Sequence, residues 1–472
     1  MRDGNKPKLI TLIIVINFLF IVLWCDRREN SDRELPDLSG KEISAPPEWA
    51  RSGILYEIFP RVFCQEGTFA TIEARLGHIQ DLGINIIWLM PIYPIGEKHK
   101  KGTQGSPYAV KDFRAINPEY GDESDFRSLV DEIHRRNMKI ILDIVPNHAS
   151  HDNHLIETHP DWFMQDEQGR FTREKEEWSD VIDFNYENAH MRDYMRETLL
   201  FWIKEFDIDG YRCDVAGMVP YDFWEEAIPH LRQAKADFLL LGEWEDPEIL
   251  LSGFDSDYGW TEYHALVDVR KGKLRTATAL SILQEIEQKS PGNHLRLRFL
   301  ENHDQKRSME VFGAQAIEAY ASLLFTLPGL PLMYAGQEIG EMETPSLFET
   351  STIQWQKGDS ALITMYRELI HLRKSTSCLM QGNFVQLPVA SLSGSVGAFV
   401  RWDESSAALI ISNLRNKTAE KIVISLSSEQ QALFDAYSWI GYKSTGDPPD
   451  FQELYFDKIE GFKTRIYIGK KR

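Results

Sequence analysis

The chain has 472 residues, of which 43% are hydrophobic and 26% charged. That is enough apolar material for a sizeable core, and it excludes a disordered, collagen-like or coiled-coil chain. The charge is 52 minus 72, or −20 with His neutral, whereas a nucleic-acid binder needs a basic footprint.

At the start of the chain, Arg2, Lys6 and Lys8 precede a run from Leu9 to Trp24 that is apolar except for Thr11 and Asn17. Cys25 follows directly, then Asp26, Arg27, Arg28 and Glu29. A basic start with a short apolar stretch predicts a secretory signal or a signal anchor. The run, roughly 16 residues, is short of the ~20 that span a bilayer comfortably. A cysteine directly after it resembles the lipidation site of bacterial lipoproteins, from which Trp24 departs because a small residue is usual there. Residues 1–25 thus read as a lipoprotein signal, an uncleaved anchor or a secretory signal. Each places the remainder in the cell envelope, periplasmic or extracellular, held by lipidated Cys25 or an uncleaved segment, with membrane contact only through the N-terminus. Residues 26–51, polar and carrying Pro46-Pro47, read as a tether.

From 52 to 377 short apolar runs alternate with amphipathic segments. Strands are predicted at 54–63, 86–92, 139–148, 208–216, 237–244, 295–304 and 329–338, with a weaker one near 263–269. A helix is predicted over 122–137, where Phe126, Leu129, Val130 and Ile133 share a face and acids precede bases. Eight strands alternating with helices predict a (β/α)8 TIM barrel. A doubly wound sheet is the alternative, but no Gly-rich phosphate loop follows the first strand. Residues 149–190 are too many for a simple loop and read as an inserted subdomain. Beyond 378, alternating strands at 396–402, 406–414 and 420–426 predict a C-terminal all-β sandwich over 378–472. Cysteines 25, 64, 213 and 378 form neither a zinc motif nor a disulfide framework.

Polar residues recur at the C-terminal ends of these strands. Asp143, Asn147 and His148 follow the third, Arg212 and Asp214 lie on the fourth, Glu243 ends the fifth, and His303-Asp304 end the seventh. Barrel active sites are built on that rim. A lone acid there is more often a structural ion pair, but three lone carboxylates on three strands suit glycoside hydrolysis, in which two carboxyls flank the scissile bond. A third carboxylate can stabilise the cationic transition state, and an Arg keeps the nucleophile ionised. No Gly-x-Ser-x-Gly elbow supports a serine hydrolase, and no HxH or HExxH spacing supports a metal hydrolase.

The segments DIVPNH (143–148), GYRCDVA (210–216), GEWED (242–246) and FLENHD (299–304) resemble, in order, the four motif regions of the α-amylase family of retaining glycosidases, glycoside hydrolase family 13. The flanks GINIIWLMPIY (83–93), SPYAVKDFRAINPEYG (106–121), VIDFN (181–185) and GLPLMYAGQE (329–338) resemble it too. The resemblance implies Asp214 as nucleophile, Glu243 as general acid/base and Asp304 as transition-state stabiliser. It implies Arg212 as partner of Asp214, His148 and His303 as ligands of sugar hydroxyls, and Tyr108 as a stacking face for the sugar ring. It requires no cofactor. Many relatives hold a structural calcium, for which Asn147 and Asp183 fit, but Met218 stands where the family usually has a His ligand. The implied activity is hydrolysis of α-glucosidic bonds in malto-oligosaccharides or related α-glucans, with transglycosylation through the same intermediate as the alternative. A catalytically inactive, membrane-anchored partner subunit is the reading from another class. The presence of all three acids disfavours it.

Overall fold

Eight short strands, all parallel, close into a barrel in a computed structural model that describes residues 36–391, 394–443 and 454–472. They are β1 (Leu55–Ile58), β2 (Ile86–Leu89), β3 (Lys139–Ile144), β4 (Gly210–Cys213), β5 (Leu239–Gly242), β6 (Ser256–Tyr258), β7 (Leu295–Arg298) and β8 (Leu330–Tyr334). Each pairs with its chain neighbour, and β1 with β8 closes the ring. Helices outside cover one face of every strand and the packed interior covers the other. This double burial is why the strands read as unbroken apolar runs.

The predicted strands are longer than the observed ones. In β1 the apolar run continues, but Pro60 opens a short helix, Pro60–Phe63, whose Val62 and Phe63 are still buried. Beyond β3 the chain turns at Pro146, and His148–Ser150 forms a separate strand antiparallel to Val181–Asp183. Burial of the rim loops thus mimics strand sequence. The helix predicted over 122–137 spans Glu123–Arg135, and its capping box pairs Asp122 with Asp125.

The weak strand expected near 263–269 is corrected by the structure. That stretch lies in a helix, Trp260–Arg270, and the missing barrel strand is the three-residue β6. β6 reads Ser-Asp-Tyr because buried Asp257 pairs with Arg296 of β7, so an ion pair replaces the apolar signature.

The segment after β3 forms the short hairpin just described, a helical turn at Leu155–Thr158 and a 3-10 turn at Pro160–Trp162. C-terminal strands form a five-stranded and a three-stranded sheet that face each other. Along Ser406–Asn413, Ala408 and Ile410 join the barrel's core whereas Leu409 and Ile411 face the smaller sheet, the period of two expected of a strand buried on both sides. Pro36–Arg472 form one compact unit. The described part of the expected tether lies against the barrel: Leu38 is buried, its N–H donates to Lys289 O (2.7 Å), and Trp49 Nε1 donates to Asp237 O (3.0 Å). Residues 1–25 lie outside the described residues. Among the described residues no helix is long and apolar enough to cross a membrane.

Candidate active site

Arg212, on β4, points into the barrel and is fully buried. Its Nη1 lies 2.8 Å from Asp143 Oδ1 and 2.9 Å from Asp214 Oδ1. Its Nη2 lies 2.8 Å from Glu243 Oε2, and its Nε donates to the Tyr258 hydroxyl (3.1 Å). Arg212 and Asp214 meet because Asp214 directly follows β4, two residues on from Arg212, and so keeps to the same face. Glu243 joins them because it follows β5, the neighbour of β4, and the Val215 N–H donates to its Oε2 (2.9 Å). That N–H is aimed by a left-handed backbone at Val215, φ 37°, a conformation a β-branched residue adopts only under constraint.

Three carboxyls on one guanidinium leave excess negative charge in a dry site. Burial therefore wins over the arginine: it pushes Asp214 up to about 6 and raises Glu243, with Arg212 pulling both down. The Asp304 carboxyl is likewise raised by burial and held back mainly by His303.

Across the site, His303 Nε2 lies 2.8 Å from the Tyr108 hydroxyl and 3.3 Å from Asp304 Oδ2. The Tyr108 hydroxyl also donates to Asp143 Oδ2 (3.1 Å), and its ring stacks on His303 with centroids 5.5 Å apart. His148 Nε2 stands 4.0 Å from Asp214 Oδ2, and burial pushes this imidazole down to about 4, so it is neutral near pH 7. The fold thus gathers Tyr108, His148, Arg212, Asp214, Glu243, His303 and Asp304 around one rim.

Asn147 and Asp183 lie apart from the acids. The Asn147 amide donates to Asp183 Oδ1 (3.3 Å) and the Glu174 N–H to Oδ2 (2.7 Å), so both carboxylate oxygens face donors. Nearby, Lys101 Nζ lies 3.0 Å from Asp180 Oδ1 and brings a positive charge of its own. Among the described residues no three His, Cys, Asp or Glu side chains converge as metal ligands. Both Asp183 oxygens are thus engaged by hydrogen-bond donors, where a calcium ion would need them as ligands.

The sequence reading passed over three contributors: Glu57, whose carboxyl meets His303 Nδ1; Trp88, whose Nε1 donates to Asp143 Oδ2 (3.3 Å); and Tyr258. A lone glutamate inside the apolar run ILYEIF was a readable signal for the first. Trp88 and Tyr258 resemble core aromatics and carry none.

The chain is similar to known proteins over most of its length. The profile of a family described as "Alpha amylase, catalytic domain" matches residues 27–360. The α-amylase MalA of Haloarcula japonica is 29% identical over 387 residues, 78% of this chain and 56% of that protein, so the chain spans little more than half of that relative. A cyclomaltodextrinase of Thermoanaerobacter pseudethanolicus is 26% identical over 437 residues, covering 82% of this chain and 74% of the relative. The crystal structure of the maltogenic α-amylase AmyB of Thermotoga neapolitana superposes with a TM-score of 0.81 at 31% identity, covering 89% of this chain and 99% of the other.

Proposed function

This chain belongs to the α-amylase catalytic-domain family, and from that premise we propose that it hydrolyses α-glucosidic bonds of malto-oligosaccharides or related α-glucans with retention of configuration. The observation that carries the reading is the single guanidinium of Arg212 touching both Asp214 and Glu243, which directly follow two adjacent strands. Asp214, ionised above about pH 6, attacks the anomeric carbon and forms a glycosyl-enzyme. Glu243, whose affinity for a proton burial has raised, protonates the leaving oxygen and then takes a proton from the incoming water. Asp304 stabilises the oxocarbenium-like transition state. His148 and His303 hydrogen-bond the sugar hydroxyls, and the ring of Tyr108 packs on the sugar. An inactive partner subunit has no need of this constellation.

Asp214→Asn should abolish turnover of maltotriose, by a factor of roughly 10⁴ or more, with an unchanged circular dichroism spectrum. Near-native activity in that variant would sink the assignment. Proton NMR of the first product formed by the wild type should show the α-anomer. A time course on maltohexaose, cyclodextrin and pullulan reads out the linkage and length preference, and appearance of longer oligosaccharides measures transfer to sugar instead of water.

The basic start, the apolar run Leu9–Trp24 and Cys25 further support attachment to the cell envelope. A labelled lipid precursor should enter the wild-type protein and not Cys25→Ser; equal labelling of both would refute lipidation at this cysteine.

A further inference from the structure

Glu57, on β1, stands in register beside Trp88 of β2 and Tyr334 of β8 and is fully buried. Its Oε1 meets His303 Nδ1, and its Oε2 has no hydrogen-bond partner among the described residues. A carboxyl with an orphaned oxygen is costly in a barrel interior, and no bond-making step above uses it.

The carboxyl's only hydrogen-bonding neighbour among the described residues, His303, sits in a chain of contacts that runs to Asp143. Asp143 Oδ2 accepts from the Tyr108 hydroxyl and from Trp88 Nε1. The phenol has one hydrogen, so with that hydrogen on Asp143 its oxygen can only accept from His303 Nε2, 2.8 Å away. Burial raises the Asp143 carboxyl and Arg212, 2.8 Å from its Oδ1, pulls it down; with Asp143 as the acceptor, Nε2 carries a hydrogen, and the same nitrogen lies 3.3 Å from Asp304 Oδ2. At Nδ1 either the Glu57 carboxyl donates to a bare nitrogen or an imidazolium N–H donates to a carboxylate. Both keep the Nε2 hydrogen in place.

We propose that Glu57 is a positioning residue that holds His303 as an Nε2–H donor aimed at Asp304 and at the sugar hydroxyl beside it. The inference rests on the reading of His303 and Asp304 as substrate-site residues. Burial pushes Glu57 up to about 8; Arg212, His303 and Arg307 pull it down and Glu301 pushes it up. Tyr258, Tyr334 and Asp304 also feel its charge. Below that pH the carboxyl holds its own proton and serves as the donor to Nδ1.

The test is 15N NMR of the full chain labelled at histidine, with the His303 signals assigned by their loss in His303→Asn. The wild type should show the Nε2–H form at pH 6–7 and an inflection near pH 8 as Glu57 ionises. Glu57→Leu should release the ring into a mixture of tautomers and lower kcat/KM on maltotriose about tenfold, the worth of one hydrogen bond. Glu57→Gln, whose amide can donate to Nδ1, should keep the Nε2–H form, keep activity close to wild type and lose the inflection. A His303 that stays Nε2–H in Glu57→Leu, or an inflection that persists in Glu57→Gln, overturns the proposal. If Glu57→Leu does not fold, the Gln variant decides alone. The tautomer is read without substrate, so a wild type inert toward α-glucans would refute the functional reading and leave this result standing.

Discussion

Arg212 is where the electrostatics of the site are concentrated, because its one positive charge is divided among Asp143, Asp214 and Glu243. As the proposed nucleophile Asp214 must be ionised, so kcat/KM should fall as pH drops through about 6. As the proposed general acid Glu243 must be protonated, so the alkaline limb should follow its raised carboxyl. Arg212→Met removes the largest effect that offsets burial, so the acid limb should move to higher pH and kcat should collapse. Breaking such a buried ion cluster costs about 3–5 kcal/mol. The sign of its pH dependence follows from the raised carboxyls: their protonated forms stabilise the fold below the unfolded value of ~4, and that stability is lost as pH rises through the folded value. The melting temperature of Arg212→Met should therefore fall further below wild type at pH 8 than at pH 5. An equal deficit at both would contradict the shared-charge account.

Two elements, the turn after β4 and the loop after β5, lock together at this point. The left-handed Val215, a strain of order 1–3 kcal/mol, aims its N–H at Glu243. Two residues on, Gly217 lies so close to the Trp244 ring that an added Cβ would sit inside its van der Waals surface. Trp244 directly follows Glu243, so Gly217→Ala should push the indole and tilt the acid. We expect kcat to drop at least about tenfold, with a stability loss of ~1–3 kcal/mol from overpacking. Measuring kcat beside the denaturation midpoint separates the two effects, and an unaltered kcat would show that Trp244 moves without Glu243. At this scale the sequence was legible wherever apolar periodicity set the structure, as in β2 and the helix Glu123–Arg135. It misled at β6, where the buried pair Asp257–Arg296 makes a strand from polar residues, and along Trp260–Arg270, where Tyr263, Ala265, Leu266, Val267 and Val269 give a helix the apolar content of a strand.

In the whole molecule the C-terminal sheets are no loose appendage. Phe399, Ala408, Ile410, Leu414 and Ile466 belong to the barrel's own core. Buried Arg401 donates to the carbonyls of Thr326 (3.1 Å), Asn383 (3.0 Å) and Gly382 (2.9 Å), bridging the last barrel helices to the sheet. The sequence by itself determined the parallel barrel and the β sheets, because alternating burial is written in local order, and it placed lone carboxylates at the strand ends. Asp143, Arg212, Asp214, Glu243 and Asp304 could all be named from the chain. Only the tertiary structure decided which groups share one arginine, that Asn147 and Asp183 face each other as hydrogen-bond partners, and that Glu57 reaches His303 from a strand 246 positions away. Those are contacts between distant segments, set by barrel register and closure, and neither composition nor periodicity encodes the distance across a closed ring.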